Sequence, residues 1–157
     1  MTGPVTVDLV AMTAQEFDAY VEETVPGYAA ERAEADGIPY EAALDLARRQ
    51  VAAILQGGAA GASHGFFVCD RITGSRVGAV WALVRGTAVH LADIRIDERF
   101  RRRGFGAAAL AAVESFARAS GARSISLHVF GRNTAARALY EDSGYGVTGL
   151  SLRKDFG

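Results

Sequence analysis

The segment Ile94-Arg95-Ile96-Asp97-Glu98-Arg99-Phe100-Arg101-Arg102-Arg103-Gly104-Phe105-Gly106 restricts the folds open to this chain more than any other. An apolar run reads as a strand leaving a sheet, a basic turn follows, and a helix begins on glycines. Gly104 and Gly106 let the backbone approach a ligand closely or adopt positive φ. The free N–H groups of a first helical turn then point at whatever sits there, and such an end suits phosphate oxygens. Arg101, Arg102 and Arg103 add positive charge in a geometry that matches phosphate. A dinucleotide-binding fingerprint would need a third glycine where this chain has Ala109. A P-loop would need a Gly-Lys-Ser/Thr, which is absent. The plain alternative is a solvated basic turn whose glycines serve tight packing.

The surrounding pattern predicts alternating strands and helices. Residues 5–10 read as a first strand, with Val5, Val7 and Leu9 alternating. Thr13 and Glu16 match a capping box, so a helix carrying Phe17, Tyr20 and Val21 follows. Pro26-Gly27 is expected to interrupt it, residues 28–35 to resume it, and Asp36-Gly37 to close it. Residues 40–55 form the next helix, with Ala43, Leu44, Ala47, Val51, Ile54 and Leu55 at three- and four-residue steps. Gly57, Gly58 and Gly61 read as a loop. Residues 65–70 and 76–84 read as a hairpin about Thr73-Gly74-Ser75, and residues 89–96 as a third strand after Arg85-Gly86. A helix over residues 104–120 buries Phe105, Leu110, Val113, Phe116 and Ala117 and stops at Gly121. Residues 124–130 are expected as a strand, 134–142 as a helix, and 145 onward as one or two closing strands. The order β-α-α-β-β-β-α-β-α-β implies an α/β or α+β fold, with a mixed, mostly antiparallel sheet and helices on its faces.

At 157 residues, the chain fits one domain, assigned to residues 1–157. It buries roughly 70% of its unfolded surface without a disulfide or metal staple. The formal net charge of −1 argues against a general nucleic-acid binder. No run of about 18 apolar residues suggests a membrane span, and the amino terminus lacks a signal-peptide pattern. The expected setting is the cytoplasm. Cys69 is the only cysteine. It reads as a small buried hydrophobe, with a reactive nucleophile as the alternative. His64, His90 and His128 show no metal-ligand spacing with one another or with Cys69, so no metal site is assigned.

Three pieces of the chain resemble the Gcn5-related N-acetyltransferase (GNAT) superfamily, and the likeness runs over residues 89–154. The first is Ile96 through Gly106, with its Arg101-x-x-Gly104-x-Gly106. The second is Gly121 through Phe130, a helix end and the strand after it. The third is Asn133 through Tyr145, with Ala136, Leu139, Tyr140 and Gly144. The resemblance implies the acyl-coenzyme A N-acyltransferase fold and acetyl-coenzyme A as donor. By that resemblance, Arg102, Arg103, Gly104, Phe105, Gly106 and Ala107 wrap the pyrophosphate with backbone N–H groups, and Arg101 shapes or charges the turn. The strand edge at Ile94 to Ile96 holds the pantetheine arm, and a backbone N–H there polarises the acetyl carbonyl, the kind of oxyanion stabilisation that dominates many active sites. Asn133 serves near the pantetheine, as a helix cap, or both. Tyr140, which otherwise reads as a core aromatic, becomes general acid to the leaving thiolate.

The general base and the acceptor are less legible. Asp93 is the candidate base, although an acid next to Arg95 also reads as a paired structural charge. Strict alternation puts Val89, Leu91, Asp93 and Arg95 on one face. Glu98 reads as a solvated turn acid. Asp18, Glu22, Glu23, Glu31, Glu34 and Asp36 make the first helices acidic, which suits a cationic amine or merely a soluble surface. Tyr28, Tyr40 and Trp81 are candidates for the acceptor cleft or the core. Stretches such as residues 28–31, 47–50 and 127–130 are similar to a subset of small bacterial members of the family. The implied activity is transfer of acetyl to an amine of a small molecule or peptide by direct attack. The alternatives are a non-catalytic coenzyme A-binding or sensing module and a structural oligomer. A homodimer through the final strands or an apolar helix face is also an expectation.

Overall fold

An unbroken apolar run such as Val77-Gly78-Ala79-Val80-Trp81-Ala82-Leu83 suits a strand covered on both faces. The structure is a computed structural model that describes residues 4–56 and 62–157, and there this run lies buried at the centre of the sheet. The elements are β1 (Val7–Ala11), α1 (Ala14–Asp36), α2 (Tyr40–Gln56), β2 (Ser63–Asp70), β3 (Arg76–Arg85), β4 (Ala88–Ile96), a 3-10 turn (Glu98–Phe100), α3 (Phe105–Ala119), β5 (Ser124–Leu127) and α4 (Thr134–Asp142). The sheet order is β1-β2-β3-β4-β5. β1 through β4 pair antiparallel, and β5 joins β4 in parallel after the α3 crossover. The mixed, mostly antiparallel sheet flanked by helices is the expected architecture. The glycine link at Gly57, Gly58 and Gly61 lies outside the described residues. No described helix is long and apolar enough to cross a membrane.

Each face of the sheet has its own helix layer. Phe105, Ala109, Leu110, Val113 and Ala117 form the α3 stripe and pack on Val68, Val80, Ala82, Val89 and Leu91, while Phe116, expected in that stripe, is half-buried against Phe66 and His64. On the opposite face Ala79, Trp81 and Leu83 meet Tyr20 and Val21 of α1. Val25 and Ala29 of α1 then meet Ala43 and Ala47 of α2, three of these being alanines with no exposed surface.

The structure corrects the sequence reading at Pro26. α1 runs through it without a break from Ala14 to Asp36. An interior proline costs a helix about 3 kcal/mol by losing one N–H and crowding the preceding turn. Each buried side chain of Tyr20, Val21 and Val25 recovers about 1.5–3 kcal/mol, so tertiary packing outweighs the local defect. The helix starts on the expected capping box. The Glu16 backbone N–H donates to Thr13 Oγ1 at 3.1 Å, and the Thr13 N–H donates to Glu16 Oε1 at 2.9 Å. It stops at Gly37, with φ at 66°.

β4, β5 and the carboxy-terminal segment bring three further corrections. Trp81 pairs with Asp93 but Ala82 pairs with Leu91, so Ala92 is an extra residue, a β-bulge. The bulge reverses the side-chain parity of β4. Val89 and Leu91 face α3, whereas Asp93 and Arg95 face α1, and the expected common face of these four residues does not exist. Next, β5 ends at Leu127 instead of 130, because its last partner on β4 is Leu91 and β4 bends away beyond it. Finally, residues 146–157 contain no strand. Val147, Leu150, Leu152 and Phe156 stay exposed, so the apolar surface that pairing would bury remains in solvent.

The capping box provides a test of how α1 is anchored. Thr13→Ala should remove about 1 kcal/mol of stability, read as a lower midpoint in urea with an unchanged slope.

Candidate functional site

The divergence of β4 from β5 opens a cleft of about 1330 Å3 between the sheet edge, α1, the start of α3 and α4. Beyond Leu91 the β4 edge has no partner on β5, so the peptide groups around Ile94 and Ile96 border the cleft.

At one end lies the basic turn. Gly104 caps α3 with φ at 88°, a conformation that admits glycine, and no side chain among the described residues caps the helix. The first helical bond is donated by the Ala108 N–H to the Gly104 carbonyl at 3.2 Å. The N–H groups of Phe105, Gly106 and Ala107 therefore sit in the first turn, where no intrahelical acceptor exists. Arg102 also has positive φ, 61°, which turns successive backbone N–H groups into an anion-binding concavity. A Cβ on Gly106 would sit 3.0 Å from a methyl of Leu139, so glycine here lets α4 approach α3. Arg101 Nε donates to the Ile96 carbonyl at 2.9 Å and shapes the turn. Arg101 and Arg102 line the cleft. Arg103 does not, and its guanidinium packs near the rings of Phe100 and Phe105.

The other end is acidic. Asp93 emerges from β4 just after the bulge, and Tyr20 of α1 donates its hydroxyl to Asp93 Oδ2. Burial raises the Asp93 carboxyl above its ordinary value, against the opposing influence of that hydrogen bond and of Arg95. Arg95 donates to Glu23 Oε2 at 3.1 Å and lies 5.0 Å from the Tyr20 ring centre. Burial also raises Glu31, with Asp93 adding to the effect. Arg32 is engaged by Asp36 at 3.2 Å and by Gln50 at 2.9 Å, and Tyr28 donates to the same Gln50 oxygen. With those pairs set aside, Asp93 and Glu31 are cleft carboxylates with no ion pair among the described residues.

Tyr140 of α4 lines the same cleft. Its hydroxyl is raised above its ordinary value by burial first, then by the charges of Asp93 and Glu31, so the three groups form one electrostatic unit. Asn133 caps α4 by accepting from the Ala136 N–H at 3.2 Å, and it also borders the cleft.

Of the acids noted along the first helices, Glu23, Glu31 and Asp36 reach the cleft. Glu34 pairs with Arg132, and Asp18 and Glu22 are exposed elsewhere. Tyr28 and Trp81 line the cleft while Tyr40 does not, and Glu98 stays exposed in its turn. His90 meets Ser126 across β4 and β5 at 3.0 Å, and His64 stacks on Phe66. Cys69 lies on β2 away from the cleft with its thiol raised by burial, which disfavours the nucleophilic thiolate. Sequence reading missed Tyr20 as a partner of Asp93. In sequence it is one aromatic of an apolar helix stripe, and no spacing links it to a strand 73 residues away.

The sequence profile of the Acetyltransferase (GNAT) family matches residues 26–145. The chain is 31% identical to the uncharacterised N-acetyltransferase YycN of Bacillus subtilis, over 95% of this chain and 98% of that protein. It is 26% identical to a second uncharacterised N-acetyltransferase of that organism, YdgE, over 91% of this chain and 94% of that protein. The crystal structure of YycN superposes with a TM-score of 0.86 at 29% identity, covering 96% and 99% of the two chains. The aminoglycoside 6'-N-acetyltransferase AAC(6')-Ih of Acinetobacter baumannii shares the fold alone, with a TM-score of 0.54 at 14% identity over 97% and 100%.

The half-buried Asp93 carboxyl generates a test of stability against pH. Because the folded-state value of Asp93 is raised, the folded protein holds that proton more tightly than the unfolded chain. Stability is then lost as pH rises from the unfolded value through the folded one. Asp93→Asn retains an oxygen for Tyr20 and is expected to raise the thermal midpoint at neutral pH. That advantage should fade in acid, where wild-type Asp93 is also uncharged.

Proposed function

The chain belongs to the GNAT acetyltransferase family, and we propose that it transfers the acetyl group of acetyl-coenzyme A to a primary amine by direct attack. The observation that carries this reading is the polarity of the cleft. It has a glycine-lined, arginine-flanked helix start at one end and, at the other, two carboxylates without ion pairs among the described residues, with Tyr140 on its wall. An anionic donor and a cationic acceptor are each matched to the end that attracts them.

The residues present fit the donor. The uncapped first turn of α3 and the positive φ of Arg102 and Gly104 form a cradle that fits pyrophosphate oxygens, and Gly106 lets α4 close in beside it. Arg101 and Arg102 would add charge, and the free edge of β4 near Ile94 and Ile96 would take the pantetheine amides as an added strand. Asn133 would border that arm, its own oxygen being engaged in the cap. When bound, acetyl-coenzyme A supplies an activated acetyl thioester and a thiol leaving group.

The chain's own groups then handle charge and protons. A primary ammonium ordinarily titrates near about 10.4, so it must lose a proton before its lone pair is available. Asp93 is the base in this reading, and its raised value makes it a better proton acceptor than an ordinary carboxylate. Glu31 draws the cation into the cleft. A backbone N–H on the free β4 edge would steady charge developing on the carbonyl oxygen. The Tyr140 hydroxyl, kept protonated by burial and nearby carboxylates, would give its proton to the sulfur as the carbon–sulfur bond breaks and recover one from the nitrogen newly bonded to the acetyl carbon, while Asp93 passes the ammonium proton to water. Protonation of Asp93 removes one of the negative charges that oppose ionisation of Tyr140, so the two proton movements assist each other.

Coenzyme A should raise the thermal midpoint, and saturation at about 100 times the dissociation constant corresponds to about 2.7 kcal/mol. An unchanged midpoint at millimolar concentration would remove the donor assignment. Thiol release with diamines, aminoglycosides, amino acids and lysine peptides reads the transfer. A midpoint shift without thiol release from any of them would favour a coenzyme A-binding module instead.

Tyr140→Phe should lower turnover on the order of 100-fold while leaving coenzyme A affinity nearly unchanged. Equal turnover in that variant would refute the acid assignment.

A further inference from the structure

We infer that Tyr20 is the positioning residue for the base, with its hydroxyl holding Asp93 Oδ2 so that the other carboxylate oxygen is the one presented to the acceptor amine. The inference rests on the reading of Asp93 as base and adds the device that makes it usable.

Three observations support it. The bulge at Ala92 turns Asp93 toward α1, where an unbulged strand would point it at the α3 core. Tyr20 is 3% exposed and is wedged among Phe17, Trp81 and Ala92, so its ring has little freedom. A hydroxyl on a locked ring is a fixed donor. Its hydrogen bond to Asp93 Oδ2 therefore fixes the carboxylate rotamer as well. Nearby, Arg95 is occupied by Glu23 at 3.1 Å and makes no hydrogen bond to Asp93 among the described residues. Tyr20 is thus the described side chain that holds this acid.

The charged and titratable groups around Asp93 are known from each neighbouring element. α1 contributes Tyr20, Glu23 and Glu31, β4 contributes Arg95 and His90, α4 contributes Tyr140, and His128 lines the cleft beyond β5. Tyr20 donates a hydrogen bond to the ionised form, which favours that form. Its loss must make Asp93 hold its proton more tightly. The base form then appears only at higher pH.

The test is a titration of protein labelled with 13C at the aspartate carboxyls, the Asp93 signal being assigned by its loss in Asp93→Asn. In Tyr20→Phe the midpoint of that signal should move up by about one pH unit. The acid limb of kcat/KM should move with it when measured with whichever probe amine gives the fastest thiol release. Coenzyme A affinity should not change. Tyr20→Met, which fills the site with a flexible apolar chain, repeats the measurement if the phenylalanine variant does not fold. An unshifted Asp93 titration in a folded Tyr20 variant would overturn the inference while leaving the base in place. Undiminished turnover in Asp93→Asn would instead remove the base reading, and this inference with it.

Discussion

A single extra residue in β4, Ala92, organises the working end of the molecule. The register slips between Trp81 and Ala82 of the neighbouring strand, and a bulge of this kind bends its strand and reverses the order of faces. The bend coincides with the last pair between β4 and β5, Leu91 with Leu127. Beyond that point the two strands part and the cleft begins. The reversal moves Asp93 and Arg95 to the α1 side while Ile94 and Ile96 continue the α3 core. One backbone irregularity therefore supplies an opening, a free strand edge and an inward-facing acid.

The helices supply what the sheet cannot. α3 presents uncapped N–H groups on a glycine start, and α4 brings Tyr140 against the same opening through the close approach that Gly106 permits. α1 crosses the other face and delivers Tyr20, Glu23 and Glu31. It survives an internal proline because its buried side chains are worth more than one lost hydrogen bond. Opposite charge at the two ends of the cleft follows from these placements. The arginines sit in the turn before α3, and the carboxylates Glu31 and Asp93 sit on α1 and β4.

Much of this was legible from short-range signals. The capping box of Thr13 and Glu16, the hairpin turn at Gly74, the stripe of α3 and the full extent of α4 are local matters of periodicity and turn chemistry. The glycine-rich turn, too, could be read as an anion site because the backbone preferences of Gly104 and Gly106 are intrinsic. The break at Pro26 failed as an expectation because tertiary burial opposed a local propensity. The common face for Leu91 and Asp93 failed because a bulge leaves no mark in the spacing of side chains.

The strand-turn-helix that gathers free N–H groups near Arg101 to Gly106, and the spacing that puts Asn133 at the cap of the helix carrying Tyr140, were written in the local sequence. Such features depend on neighbours within a few residues, whose geometry the chain fixes locally. That Tyr20 holds Asp93, that Glu31 shares its cleft, and that Arg103 turns away from the site to Phe100 and Phe105 emerged with the assembled fold. Those relations depend on the register between strands and on how α1 crosses the sheet. Both are set by the global balance of buried surface, and no local pattern carries that balance.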